Sequence, residues 1–209
     1  MPLFLDKEEK RGAVDLIFDD RMRIKIRKKD FERFPLERHE EIEYEEYLNA
    51  VAGFQAKDAY EDALSLLDYS ARTESEIKKK LLSKGYLDAV IDSVIERLKD
   101  ARLIDDRQLA ERIAENASDR GIGAYALKRK LKLRGISEED VEYASSLMDE
   151  DKEKEGAKRE CERLYRKYAA LSVREAKAKL SAALSRRGYS WDAVSEAIES
   201  VLNDSDDYE

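Results

Sequence analysis

Apolar positions along this chain of 209 residues follow two different periods. From about residue 58 onward they recur every three or four residues, the spacing that lines one face of a helix. Nearer the start, RMRIKI alternates strictly, with Met22, Ile24 and Ile26 on one side and Arg21, Arg23 and Lys25 on the other. VDLIF precedes it across Asp19 and Asp20, so the pattern predicts a β-hairpin over about residues 13 to 27. Two strands bury too little surface to stand alone, and the hairpin must pack on another element. The acid-rich stretch 37 to 46 reads as a solvated helix or linker.

The helical part repeats itself. Residues 77–86 read IKKKLLSKGY, residues 127–136 read LKRKLKLRGI and residues 180–189 read LSAALSRRGY. Aligned on Gly85, Gly135 and Gly188, the copies lie about 50 residues apart, the mark of a repeat architecture. Eight residues before each glycine stand Ile77, Leu127 and Leu180; four before stand Leu81, Leu131 and Leu184; six after stand Ile91, Val141 and Val194. Each glycine is placed to take the left-handed conformation that closes a helix. Thr73 with Glu76 and Ser172 with Glu175 have capping-box spacing, which sets where these helices start. Asp88, Ser137 and Ser190 are placed to cap the helix that follows, whose buried face in the first copy includes Ile91, Val94, Ile95 and Leu98.

A third amphipathic helix precedes each copy, at roughly 58 to 69, 106 to 118 and 157 to 169, with Asp105 and Asp106 as caps of the second. Three helices in each of three copies predict about nine. A unit of about 50 residues has little core of its own, so the copies are expected to stack into a curved solenoid. The resulting fold class is mainly α, tandem three-helix repeats preceded by a short β-hairpin. Its parts are an N-terminal extension over 1–58, repeats over 59–104, 105–155 and 156–204, and an acidic tail over 205–209.

Charge changes this picture in one place. The chain is 42% charged with a net charge of -8, yet residues 120 to 135 hold six bases and no acid. On a helical wheel Leu127 and Leu131 mark the buried edge, while Tyr125, Lys128, Arg129 and Lys132 spread over the far side and Leu133 points outward. Such a face suits phosphate or an acidic protein surface. One cysteine, Cys161, and one histidine, His39, leave no zinc set, so no metal or cofactor is expected. RGIGAY lacks the lysine of a phosphate-binding loop, and His39 has no nucleophile signature beside it, which argues against an enzyme. Trp191 reads as a packing residue. No run is apolar enough to span a bilayer and no secretory signal opens the chain, so a cytoplasmic location is expected.

ARTESEIKKKL, then LIDDRQLAE, then the glycine-led basic helix GIGAYALKRKLKLRGI resemble the bacterial regulatory protein RecX family, over about residues 59 to 204. The resemblance implies a monomeric, non-enzymatic modulator of the RecA recombinase. It would bind in the groove of the RecA filament on single-stranded DNA and suppress ATP hydrolysis, strand exchange and coprotease activity. The cations expected to make the contacts are Arg120, Lys128, Arg129, Lys132 and Arg134 with Tyr125, supported by Lys78, Lys79 and Lys84 and by Arg186 and Arg187. The alternative is a helical module that contacts single- or double-stranded DNA phosphates directly.

Overall fold

The computed structural model describes the backbone of residues 1–168 and 170–206, with side chains through residue 203. It opens with three antiparallel strands in the order β1-β2-β3: β1 (Phe4–Lys10), β2 (Ala13–Phe18) and β3 (Arg23–Arg27). β2 and β3 are the hairpin that the alternation predicts, pairing Val14 with Ile26 and Leu16 with Ile24. β1 is an addition. Of its residues FLDKEEK only Phe4 is buried, so no alternating pattern announces it.

The sheet's apolar side supplies Phe4, Val14, Leu16, Phe18 and Ile26 to one core. That core is completed by Phe31 of α1 (Lys28–Arg33), by Ile42, and by Val51 of α2 (Tyr44–Tyr69). The acid-rich stretch is a connecting segment up to Glu43, tied to the start of the chain through Leu3 and Glu41, and becomes helix at Tyr44. α2 then runs unbroken past residue 58, so one helix serves both the sheet and the first repeat.

The second half of α2 packs with α3 (Glu74–Lys84) and α4 (Asp88–Asp100) around Ala59, Ala63, Ile77, Leu81, Ile91 and Ile95. α5 (Asp106–Asp119), α6 (Ala124–Leu133) and α7 (Glu138–Ser146) enclose Ala110, Ala114, Leu127, Leu131, Val141 and Ala144. α8 (Glu150–Tyr168), α9 (Val173–Arg186) and α10 (Trp191–Asp206) enclose Ala157, Cys161, Leu180, Leu184, Val194 and Ile198. Each triplet thus closes its own core. None of the nine apolar positions aligned on the three glycines is more than 4% exposed. Burying a side chain of this size contributes about 1.5–3 kcal/mol, which explains why the period is kept.

The helix ends follow the same logic. Thr73 and Ser172 form complete capping boxes with Glu76 and Glu175, and the Ser137 hydroxyl accepts from the Asp140 N–H. Gly85, Gly135 and Gly188 have φ of 92°, 79° and 81°, left-handed as expected. Two expectations are corrected. Asp88 is the first residue of α4, not its cap; that position falls to Leu87, which makes no side-chain capping bond. Trp191 opens α10 and is 77% exposed, because its place at the helix start points away from the apolar face through Val194 and Ile198. Asp105 immediately precedes α5 and Asp106 is its first residue.

The chain divides into two compact units, Met1–Asp105 and Asp106–Glu209. Among the described residues no helix is long and apolar enough to cross a membrane. Of the acidic tail, residues 207–209 lie outside the described residues. The Cys161 thiol is fully buried, and burial pushes its pKa up to about 11.

Candidate partner-binding face

Within the second unit, α6 is set by its apolar pair. Leu127 and Leu131 are at most 1% exposed, and the remaining positions are sorted around them. Tyr125, Arg129 and Leu133, four residues apart, form the outward crest; Tyr125 is 63% and Leu133 77% exposed. Lys128 and Lys132 lean toward α7, where Lys128 pairs with Glu142 at 2.5 Å and Lys132 with Glu138 at 2.7 Å. On the other flank Arg120 and Lys130 sit at a cleft of about 270 Å³ floored by Ile113, Ile122 and Leu127.

The predicted cations therefore fall into two groups. Lys78 pairs with Glu74 and Asp92, both at 3.0 Å, Lys84 with Asp62 at 2.8 Å, and Arg187 with Glu160 at 2.8 Å. The pairing raises the pKa of Lys78, chiefly through its bond to Asp92, and that of Lys132 through Glu138. Arg120, Arg129, Lys79 and Arg186 are exposed and have no ion-pair partner among the described residues. Arg134 is half-buried at the end of α6. Lys130, absent from the predicted contacts, joins the unpaired group. Its position next to buried Leu131 carries no signal by itself; only the placement of α5 beside α6 brings it to Arg120.

What holds α6 in place is close backbone contact with the third repeat. A Cβ added to Gly123 would stand 2.2 Å from the carbonyl carbon of Gly188, so the two chains touch with no room for a side chain. The Tyr125 N–H donates to the Gly188 carbonyl at 2.9 Å, and the buried Tyr189 hydroxyl donates to the Gly121 carbonyl at 2.6 Å. Beneath them Glu153, 6% exposed, accepts from the backbone N–H of Ala124 at 2.8 Å and of Ser190 at 3.1 Å. One carboxylate thus satisfies donors at the starts of both α6 and α10, where the helix dipoles favour negative charge.

The first unit uses a different joint. Its glycine turn lies against β3: a Cβ on Gly85 would stand 2.8 Å from the carbonyl carbon of Ile26. Arg27, 5% exposed, makes two bonds to Asp30 at 2.6 and 2.5 Å, one to Asp58 at 2.9 Å and one to the Tyr86 hydroxyl at 3.1 Å. Gln55 donates to Asp30 at 2.8 Å and to the Gly85 carbonyl at 3.3 Å, and accepts from the Leu87 N–H at 2.8 Å. Burial works against the Arg27 charge, but the hydrogen bonds it donates to Asp30 and Asp58 outweigh it and hold its pKa above the ordinary guanidinium value.

Comparison with known proteins agrees with the three-helix repeats. The family model described as the first three-helix domain of RecX matches residues 59–98, and that of the third three-helix domain matches residues 151–198. The regulatory protein RecX of Bacillus licheniformis is 27% identical over 195 residues, covering 93% of this chain and 74% of that protein. The protein of the same name from Clostridium tetani is 35% identical over 146 residues, covering 68% and 64%. A crystal structure of RecX from Lactobacillus salivarius superposes with a TM-score of 0.67 at 27% identity, covering 71% of this chain and 97% of that one. A second RecX crystal structure, at 22% identity and a TM-score of 0.65, shares the fold over 97% of this chain. The chain belongs to the RecX family of regulatory proteins.

Proposed function

We propose that the chain regulates the RecA recombinase by docking on the RecA filament assembled on single-stranded DNA, and that it lowers ATP hydrolysis, strand exchange and coprotease activity by favouring one filament state. Family membership supports the partner. The single observation that supports the docking face is the crest of α6, where an aromatic, a cation and a leucine stand outward at successive four-residue steps with no use inside the protein. Aromatic and arginine side chains are the usual anchors of interfaces, and a largely exposed leucine such as Leu133 gains by being covered.

The paired cations do not oppose this reading. Exposed ion pairs are worth roughly 0–1 kcal/mol, so Lys128, Lys132 and Lys78 exchange an internal carboxylate for an external one at little cost. Each repeat also carries at least one unpaired cation: Lys79, Arg129 and Arg186. Weak contacts from several repeats to a repeating partner add through effective concentration. A ligand of this kind shifts the filament only by its different affinity for the filament's states.

The test is RecA ATP hydrolysis on single-stranded DNA with increasing amounts of the wild-type chain or of an Arg129→Glu, Leu133→Asp variant. Wild type is expected to lower the rate, with the variant needing at least about tenfold more protein, the loss of one interface anchor. An unchanged rate with wild type, or equal potency of the two, would contradict the proposal.

A further inference from the structure

A groove of about 650 Å³ in the unit Met1–Asp105 is walled by the turn between β1 and β2, the start of α1 and the last turn of α3. Six basic side chains line it, Arg11, Arg27, Lys28, Lys29, Lys80 and Lys84, against two acidic ones, Glu32 and Asp62. This concentration of positive charge runs against the net charge of -8 of the whole chain. The walls are tied together: the Lys28 N–H donates to the Gly12 carbonyl at 3.1 Å, and the Lys25 ammonium to the Ser83 carbonyl at 3.1 Å. Arg27 forms the floor; its charge is offset by Asp30 and Asp58, so the positive potential comes from the lysines and arginine of the rim.

The rim is available. Arg11 and Lys80 are exposed and have no ion-pair partner among the described residues. Lys28 and Lys29 pair with Glu9 at 3.1 Å and Asp58 at 2.6 Å, with about half of each lysine side chain open to solvent (48% and 60%). Exposed pairs of this kind are weak, and a phosphate oxygen takes the carboxylate's place in a charge-assisted bond of the same kind.

We propose that this groove binds a short, phosphate-dense anion: inorganic triphosphate or the triphosphate tail of a nucleotide. The volume is that of a small-ligand site. No lining residue offers a slot for a base, because the single aromatic, Tyr86, is 3% exposed and its hydroxyl is bonded to Asp62. Recognition is therefore of phosphate alone. Carboxylates also bound the site: Glu32 lines the groove and Glu9 and Asp58 pair with Lys28 and Lys29, so a long polyanion meets more of them than a triphosphate does. This site is separate from the α6 crest and does not rest on the RecA reading.

The experiment is isothermal titration calorimetry of the full chain at low salt with sodium triphosphate, ATP, GTP and a short single-stranded oligonucleotide. Triphosphate is expected to bind saturably at one site, weakening as salt rises. ATP and GTP binding as well as triphosphate assigns the nucleotide tail; triphosphate binding alone assigns the free anion. The variant Arg11→Glu, Lys28→Glu, Lys80→Glu, altered only at exposed positions, is expected to lose at least about tenfold in affinity. Should that variant melt early, Arg11→Ala alone is expected to lose about threefold. An Arg129→Glu, Lys130→Glu variant, which tests the docking face, binds triphosphate as wild type does. Absence of saturable binding, equal affinity in the groove variants, or tighter binding of the oligonucleotide than of triphosphate would overturn the proposal.

Discussion

The turn at Gly85 and the turn at Gly188 begin from the same local sequence and end in different joints. Both close a helix in the left-handed conformation, and both are pressed so hard by neighbouring backbone that no side chain fits. Around Gly85 the neighbour is β3, and the contact is surrounded by a buried polar network centred on Arg27 and Gln55. Around Gly188 the neighbour is the start of α6, where Ala126 presses on it, with Gly123 opposite and Gly121 against Gly156 close by. The third turn, at Gly135, is exposed. A repeat can therefore conserve the geometry that ends a helix while what lands on that end differs. Both joints exclude a side chain; the first adds a buried ion-pair network around Arg27, the second only hydrogen bonds from backbone and Tyr189 and the one carboxylate of Glu153.

That distinction can be broken by substitution. Gly123→Ala has the largest expected effect, because the new methyl would overlap the Gly188 backbone, which has no freedom to retreat as a side chain does. A loss of more than about 4 kcal/mol in urea unfolding is expected, with faster hydrogen exchange in α6 and α10. Arg27→Ala comes next. It leaves Asp30, 3% exposed, without its two strongest donors, and breaking a buried pair in this way costs about 3 kcal/mol. Replacing both residues, Arg27→Met with Asp30→Leu, is expected to recover much of that loss, an outcome with no counterpart at the glycine joint.

Acid separates the joints more gently. Asp58 is held below the ordinary 3.8 by hydrogen bonds from Lys29 and Arg27. At Asp62 burial pushes upward but is outweighed by Lys84 and Tyr86, and its pKa is lowered too. A carboxylate with a depressed folded value binds protons more weakly folded than unfolded. Its stabilisation is complete above the unfolded value near 3.8 and is lost as pH falls through the folded value. Both groups are about one-third exposed, so the combined loss on acidification is about 1 kcal/mol, read as a lower urea midpoint for the first unit.

Much of this architecture is legible in the sequence because it rests on local rules. The period of three and four, the capping boxes at Thr73 and Ser172 and the glycines need only their own neighbours to be read. The hairpin is legible for the same reason, since RMRIKI alternates and the apolar run VDLIF precedes it across Asp19 and Asp20. β1 is not: an edge strand with one buried residue and a run of charges has no period to find. The first half of α2 is hidden differently, because its buried residues are only Val51 and Gln55, one of them polar, too few to show a helical period. The candidate face is half legible. Periodicity places Tyr125, Arg129 and Leu133 outward, but whether a lysine is free or paired depends on α7, and the pairs from Lys128 to Glu142 and Lys132 to Glu138 join residues six to fourteen positions apart across a turn. The basic groove beside β3 gathers residues 11, 28, and 80 with 84 from three places in the chain, and no stretch of sequence shows it.

The central claim is that the unpaired cations on α6 and just before it, Arg120, Arg129 and Lys130, meet a RecA filament and not bare nucleic acid. Its most direct measurement is the affinity of an Arg120→Glu, Arg129→Glu, Lys130→Glu variant for RecA filaments on single-stranded DNA, beside its affinity for the same DNA alone. The account predicts a loss of at least about tenfold on the filament with binding to bare DNA unchanged. Unchanged affinity for the filament, or an equal loss on both, would contradict it.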